Sequence, residues 1–247
     1  MENKFIIAVP VFNAKDYIIE CLESILQQNY SNFELCVMDD HSDDGTWELI
    51  GKVCDDYNAC FNICRNDHRL GSPLANLVKG IELFSFDRED VVVTVDGDDK
   101  LATTSVLGDL NEVYQDTGVW MTYGQFVPLS GNYPPYCKEI PDTRTYRRSG
   151  QWLASHLRTF KKKLWDKIDD RDLRGEDGKY YQPAGDVAVM YPIIEMCGHT
   201  HLRFIEKVNY IYNDLSPLNE MKTVKSEQLR VAQEIRNKYI YDELTEL

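Results

Sequence analysis

The chain has 247 residues, with 27 Lys and Arg against 41 Asp and Glu, a net charge of −14. With 43% hydrophobic and 11% aromatic residues it can build a sizeable core, so disorder is excluded as its main state. The acidity excludes wholesale nucleic-acid binding, which needs a basic face, but not a phosphate ligand held through a metal.

The longest apolar runs, such as residues 91–95, fall far short of the ~20 residues that a bilayer span needs. Met-Glu-Asn-Lys leads into a short apolar run, too brief for a signal peptide. The seven Cys are irregularly spaced with no C-x-x-C pair, so neither a disulfide framework nor a zinc site is expected. These features point to a cytoplasmic protein.

In chain order, residues 5–9 read as a strand that Pro10-Val11-Phe12-Asn13 breaks. Residues 14–28 place Ala14, Tyr17, Ile18, Cys21, Leu22, Ile25 and Leu26 at helical spacing. A second strand over 33–38 ends at Asp39-Asp40, and a second helix spans 46–57. A third strand (60–64), a third helix (74–84) and a fourth strand (91–95) follow, the last running into Asp96-Gly97-Asp98-Asp99. This order predicts an α/β fold with a parallel sheet covered on both faces. Continuous apolar strands fit burial on both sides. Ligands bind beyond the carboxyl ends of such strands, where the polar clusters after strands one, two and four lie.

The second half is less regular. Residues 120–123 read as a strand, 129–148 as a long loop, 151–163 as a helix and 173–181 as a flexible loop. Residues 186–197 form an apolar helix, 202–212 one or two strands, and 224–240 an amphipathic helix. No repeat or clean linker divides the chain, so residues 1–247 read as a single domain, with halves at 1–110 and 111–247.

Three carboxylates within four residues, directly after a buried strand, repel one another unless something compensates. A divalent cation does so, and oxygen-rich sites suit Mn²⁺ or Mg²⁺ with substrate phosphates completing the shell. The alternative is a solvated turn or a helix cap. Asp40 can accept hydrogen bonds from a base edge or ribose, while Ser42, Asp43 and Thr46 can cap the next helix. The Pro10 to Asn13 turn can wall a base.

These blocks, with Arg65-Asn66, Gly71 and Asn76, resemble family 2 glycosyltransferases of the GT-A fold in order and spacing. The resemblance is clear over residues 1–110 and looser beyond. It implies a Rossmann-like mixed central sheet flanked by helices, with a less regular acceptor-side half. It implies that Pro10, Val11, Phe12, Asn13, Asp40, Arg65, Gly71, Asn76, Asp96 and Gly97 bind the nucleotide-sugar. Asp98, with Asp96 and Asp99, would hold Mn²⁺ or Mg²⁺. Asp186 would be the catalytic base, where the family often carries Glu-Asp and this chain has Gly185-Asp186. A helix N-cap is the other role for Asp186, and Asp177 is a competing base. His156 and Arg158 fall in a segment similar to an acceptor-side element of the family.

The implied reaction is inverting, metal-dependent transfer of a sugar from a nucleotide-diphosphate sugar, UDP-sugar favoured, to a hydroxyl acceptor. Glycan or surface polysaccharide synthesis is the implied setting. The Q-x-x-R-W block of processive synthases does not follow Asp186, so single transfers are expected. Two rivals remain. One is a nucleotide-sugar binder without catalysis. The other is a sugar-phosphate nucleotidyltransferase, which would carry a Gly-rich loop where Pro10 to Asn13 stand. His199 and His201 form an H-x-H pair that reads either as a late metal ligand or as a surface turn. Ten basic residues between 144 and 174 read either as a solvated face or as an attraction to a lipid diphosphate or membrane surface, giving possible peripheral membrane contact.

Overall fold

The computed structural model describes residues 2–57, 62–84, 86–218 and 225–247. Strands β1 (Phe5–Val11), β2 (Phe33–Asp39), β3 (Asn62–Arg65) and β4 (Val91–Thr94) are parallel neighbours. Their links are α1 (Ile18–Leu26), α2 (Thr46–Tyr57) and α3 (Pro73–Leu83). The sheet continues through β5 (Lys100–Leu101), β6 (Met121–Pro128), β7 (Arg158–Lys161) and β8 (Leu202–Tyr212), in the order β3-β2-β1-β4-β7-β6-β8-β5. It is mixed: β7 runs antiparallel to both β4 and β6, whereas β6 and β8 are parallel.

Alternation along β1 divides the interior into two layers. Phe5, Ile7 and Val9 meet α1, α2 and α4 (Val106–Tyr114) on one face. Ala8 and Val92 meet α3 and α7 (Gly185–Cys197) on the other. Helix α7 is mostly apolar, and its residues from Val187 to Cys197 are buried, as expected of a helix packed on nearly every side. The last helix, α8 (Lys225–Asn237), packs Val231, Ala232 and Ile235 onto that side.

The parallel half matches its expected order, except that β1 runs on through Pro10 and Val11, whose pairing with Met38 and Asp39 outweighs the break expected there. Residues 60 and 61 of the expected third strand, and residue 224 of the last expected helix, lie outside the described residues. The second half departs from expectation. Residues 151–157 are irregular and 158–161 form strand β7, not a helix. A short strand takes its hydrogen bonds from distant partners, here β4 and β6, and so leaves no local period to read. Helices α4, α5 (Thr143–Tyr146) and α6 (Lys162–Trp165), and strand β5, were not expected. Residues 173–181 are tied by an Arg174–Tyr180 bridge and by backbone bonds from Gly175 to Lys179 and Tyr181 to Leu173. Among the described residues, no helix is long and apolar enough to cross a membrane.

The basic stretch is not a uniform surface. Arg147 lies in the core and donates from Nε and Nη2 to the two oxygens of Glu195, at 2.6 Å each, both side chains 1% exposed. Lys162, Lys163, Arg171 and Arg174 pair with Asp166, Glu89, Asp169 and Asp170. Burial raises the Glu195 carboxyl against the pull of Arg147. Removing one partner of such a pair strands a charge. Arg147→Met should therefore cost about 3–5 kcal/mol of stability. Arg147→Met combined with Glu195→Leu should recover most of it, as read from urea-denaturation midpoints.

Candidate active site

The carboxyl ends of β1, β2 and β4 border a cavity of about 470 Å³. Pro10, Val11, Phe12 and Asn13 line it from β1, Asp40 from β2, and Asp96, Gly97 and Asp98 from β4. Gly71, Asn76 and, at the start of α7, Asp186 also line it. Three described non-glycine residues have left-handed backbones: Asn13 (φ 46°), His41 (φ 62°) and Ala184 (φ 58°). All three stand in the turns that frame this cavity, and such strain persists only where the surroundings hold it.

The walls are pinned by buried polar bonds. Asp40 accepts from the Leu70 and Gly71 amides and from Asn66 Nδ2, at 2.7–2.9 Å. Asn66 also donates to Asn76 Oδ1 at 2.6 Å. Asp40 thus sets the 70–71 turn, which Gly71 enters at φ 74°. Gly97 has no room for a side chain, because a Cβ there would lie 2.7 Å from Val11 Cβ. The acidic turn therefore sits directly against the end of β1.

Each acidic residue of the turn has a different environment. Asp99 is buried and both its oxygens are committed, Oδ1 to the Asn213 amide at 2.6 Å and Oδ2 to the Tyr210 hydroxyl at 2.7 Å. Asp98 opens onto the cavity with Ser216 bonded to it, and burial raises its carboxyl. The Asp96 side chain, 39% exposed, opens onto the same cavity. Desolvation, offset by Arg158 and reinforced by Asp98 and Asp186, pushes it up to about 6. Asp96, Asp99 and His156 bring ligand atoms within 4.8 Å of one another. Both Asp99 oxygens already accept hydrogen bonds and His156 Nδ1 faces Arg158 at 3.2 Å, while Asp96 and Asp98 are the acidic side chains of the turn that line the cavity. Two partly desolvated, mutually repelling carboxylates are a fitting donor set for a hard divalent cation.

Asp186 is not the N-cap of α7. That position is Ala184, which provides no side-chain cap. The Asp186 carboxylate instead accepts from Arg158 Nη1 at 2.7 Å. Gly185 is required by packing, since a Cβ there would lie 2.8 Å from Leu74 Cβ. His156 is buried, stacked on Tyr210 at 4.5 Å, and its pKa is held well below the usual imidazole range by burial and by Arg158.

Other sequence candidates sit elsewhere. Arg65 is not among the cavity-lining residues; it donates to the Ser42 carbonyl and pairs with Asp39 at 3.3 Å. Arg69, which the sequence did not single out, lines the cavity with its guanidinium 3.7 Å over the Phe12 ring. Asp177 caps its own turn through the Lys179 amide, away from the cavity lining. His199 and His201 bond Pro141 O and Gly118 O at the start of β8. The 11 residues of that strand separate them from the cavity-lining Tyr212 by roughly 30 Å. Tyr210, whose hydroxyl donates to Asp99 and accepts from the Asp96 amide at 3.0 Å, gave no signal beyond that of an apolar strand residue.

The glycosyl transferase family 2 model matches residues 6–168. This chain belongs to that family. Among curated relatives, the UDP-Glc:alpha-D-GlcNAc-diphosphoundecaprenol beta-1,3-glucosyltransferase WfaP of Escherichia coli is 33% identical over 90 residues, 36% of each chain. The chondroitin synthase of Escherichia coli is 22% identical over 98% of this family member and 34% of its own length. The matches thus span about a third of those relatives. Staphylococcus aureus TarS 1–349 in complex with UDP-GlcNAc superposes at TM-score 0.70 and 18% identity, over 97% of this chain and 68% of that one. The Pyrobaculum calidifontis mannosyltransferase PcManGT, with GDP-Man and Mn²⁺, gives 0.66 and 17%, over 98% and 66%. The family member therefore has the GT-A fold.

One consequence of the acidic turn can be measured directly. An Asp whose native pKa is about 6, above its unfolded value near 3.9, contributes stability that is full below pH 3.9. That contribution is lost as pH rises through 6. Asp96→Asn should accordingly raise Tm at pH 7.5 and flatten the fall of Tm between pH 4 and 6, as followed by thermal melts across that range.

Proposed function

We propose that this chain catalyses inverting transfer of a sugar from a nucleotide-diphosphate sugar, preferentially a UDP-sugar, to a hydroxyl acceptor in glycan or surface polysaccharide synthesis. The observation that carries the reading is convergence: the two carboxylates fit for a cation, the base-walling turns and Asp186 all border one cavity. Relatives whose names include a UDP-Glc-dependent glucosyltransferase and a chondroitin synthase support it, as do neighbours solved with UDP-GlcNAc and with GDP-Man and Mn²⁺.

In this proposal Pro10 to Asn13, at the end of β1, wall the base, with Arg69 stacked on the Phe12 ring. Asp40 and the Gly71 turn meet the base and ribose, and Asn76 braces them through Asn66. Asp98 and Asp96 hold Mn²⁺ or Mg²⁺, and Asp99 braces the turn. When bound, the divalent ion supplies charge stabilisation for the departing diphosphate. Asp186 takes the proton of the acceptor hydroxyl as its oxygen attacks C1 and the bond from C1 to the diphosphate oxygen breaks. A positioned base of this kind contributes ~10²–10⁴-fold. A nucleotidyltransferase is disfavoured because no Gly-rich loop follows β1.

Asp98→Asn keeps the shape of the turn and removes a charge that a hard cation needs. UDP binding by calorimetry should weaken sharply and lose its enhancement by Mn²⁺; unchanged Mn²⁺-dependent binding would sink the metal assignment. Asp186→Asn should bind UDP and Mn²⁺ like the wild type while UDP release from a UDP-sugar slows ~10²-fold or more. Asp177→Asn, tested beside it, should turn over normally. Turnover preserved in the first and lost in the second would move the base to Asp177, and no turnover by the wild type would favour a pure binder.

A further inference from the structure

Arg158 lies where the proposed base and the acidic turn come closest. It opens β7, and the β4–β7 register sets it across from Thr94, two residues before Asp96. Its side chain is only 6% exposed, so its charge must be met inside the protein. Three groups surround the guanidinium. Nη1 donates to Asp186 Oδ2 at 2.7 Å, Nη2 faces His156 Nδ1 at 3.2 Å, and Nη2 stands 3.9 Å from Asp96 Oδ2. His156 is itself clamped face to face against Tyr210. Both terminal nitrogens of the guanidinium thus have partners, and Nη1 holds one oxygen of the Asp186 carboxylate through a charge-assisted hydrogen bond.

The Asp186 carboxylate is 34% exposed and lines the cavity. Oδ2 is taken by Arg158, while Oδ1 has no hydrogen bond among the described residues. The two oxygens thus divide their work, one holding the carboxylate in place and the other left for a ligand. We propose that Arg158 is the positioning residue of the base: it locks the Asp186 carboxylate so that Oδ1 faces the acceptor hydroxyl. The inference deepens the glycosyltransferase reading and rests on Asp186 as its base. Arg158 and His156 also line the cavity, where the sequence expects acceptor contacts from both; the proposal gives Arg158 this positioning role.

The test uses donor hydrolysis, in which water stands for the acceptor hydroxyl, so that no acceptor need be known. UDP release with Mn²⁺ is measured for UDP-glucose, UDP-GlcNAc, UDP-galactose, UDP-GalNAc and UDP-glucuronate, and the fastest donor is kept. A misplaced catalytic group costs up to ~10²-fold. Arg158→Met should lower kcat by about 10- to 100-fold with donor KM changed less than about threefold. Arg158→Lys, which keeps the charge and one donor, should recover part of the loss. UDP affinity with Mn²⁺, read by calorimetry, should stay within about threefold of wild type in both variants.

The decisive comparison is Arg158→Met combined with Asp186→Asn. If Arg158 acts through Asp186, the double variant should be no slower than Asp186→Asn alone, since groups that act as a unit are non-additive. A double variant slowed by the product of the two single effects overturns the proposal. So does an Arg158→Met variant that raises donor KM or UDP Kd tenfold with kcat unchanged, which would make Arg158 a donor-binding group. Should Arg158→Met not fold, Arg158→Lys carries the same comparison. Normal turnover by Asp186→Asn would instead refute the base itself, and failure of every donor with the wild type would refute the transferase reading; either takes the positioning role with it.

Discussion

Carboxylates crowded at the ends of buried strands repel one another, and the arrangement of this protein is organised by how that repulsion is met. Asp96, Asp98, Asp99 and Asp186 converge on one region, yet the protein brings a single buried guanidinium, Arg158, between two of them. Asp99 is relieved differently, through the Asn213 amide and the Tyr210 hydroxyl. What remains only partly compensated is Asp96, with Arg158 at 3.9 Å, and Asp98, with Ser216 bonded to it, both facing the cavity and both raised by desolvation. Residual repulsion of this kind is a cost to the folded chain and a source of affinity for a divalent cation.

The position of Arg158 depends on the least regular feature of the sheet. Parallel strands β1 to β4 alone would leave the far edge of β4 open. The antiparallel β7 fills that edge and delivers Arg158 opposite Thr94. Strand β8 then carries Tyr210 and the adjoining Asn213 to the back of the acidic turn. The second half of the chain thus completes a charge arrangement that the first half begins.

Close packing decides two details that composition leaves obscure. Gly97 allows the acidic turn to lie against Val11, and Gly185 allows α7 to start against Leu74. The second contact gives a physical reason for Gly at position 185. With Ala184 as an uncapped left-handed entry, Asp186 is freed from a capping role and turns to Arg158.

The β-α alternation of the first half was legible because continuous apolar strands and amphipathic helices have distinct periods, and each polar cluster after a strand is fixed by chain order alone. That logic also placed Pro10 to Asn13, Asp40 and Asp96 to Asp98 beside one cavity, and the family resemblance added Gly71 and Asn76 to it. It could not distinguish Arg65 from Arg69, because four residues of turn decide which guanidinium reaches Phe12 and which folds back onto Asp39. Nor could it read β7 as a strand, since its pairing partners lie more than 30 residues away. Local sequence determined the elements of the first half, the acidic turn and the strand ends where a ligand would bind. Only the tertiary structure decided which carboxylate is braced, which faces the cavity and which is held by Arg158, because burial and ion pairing are set by segments distant along the chain.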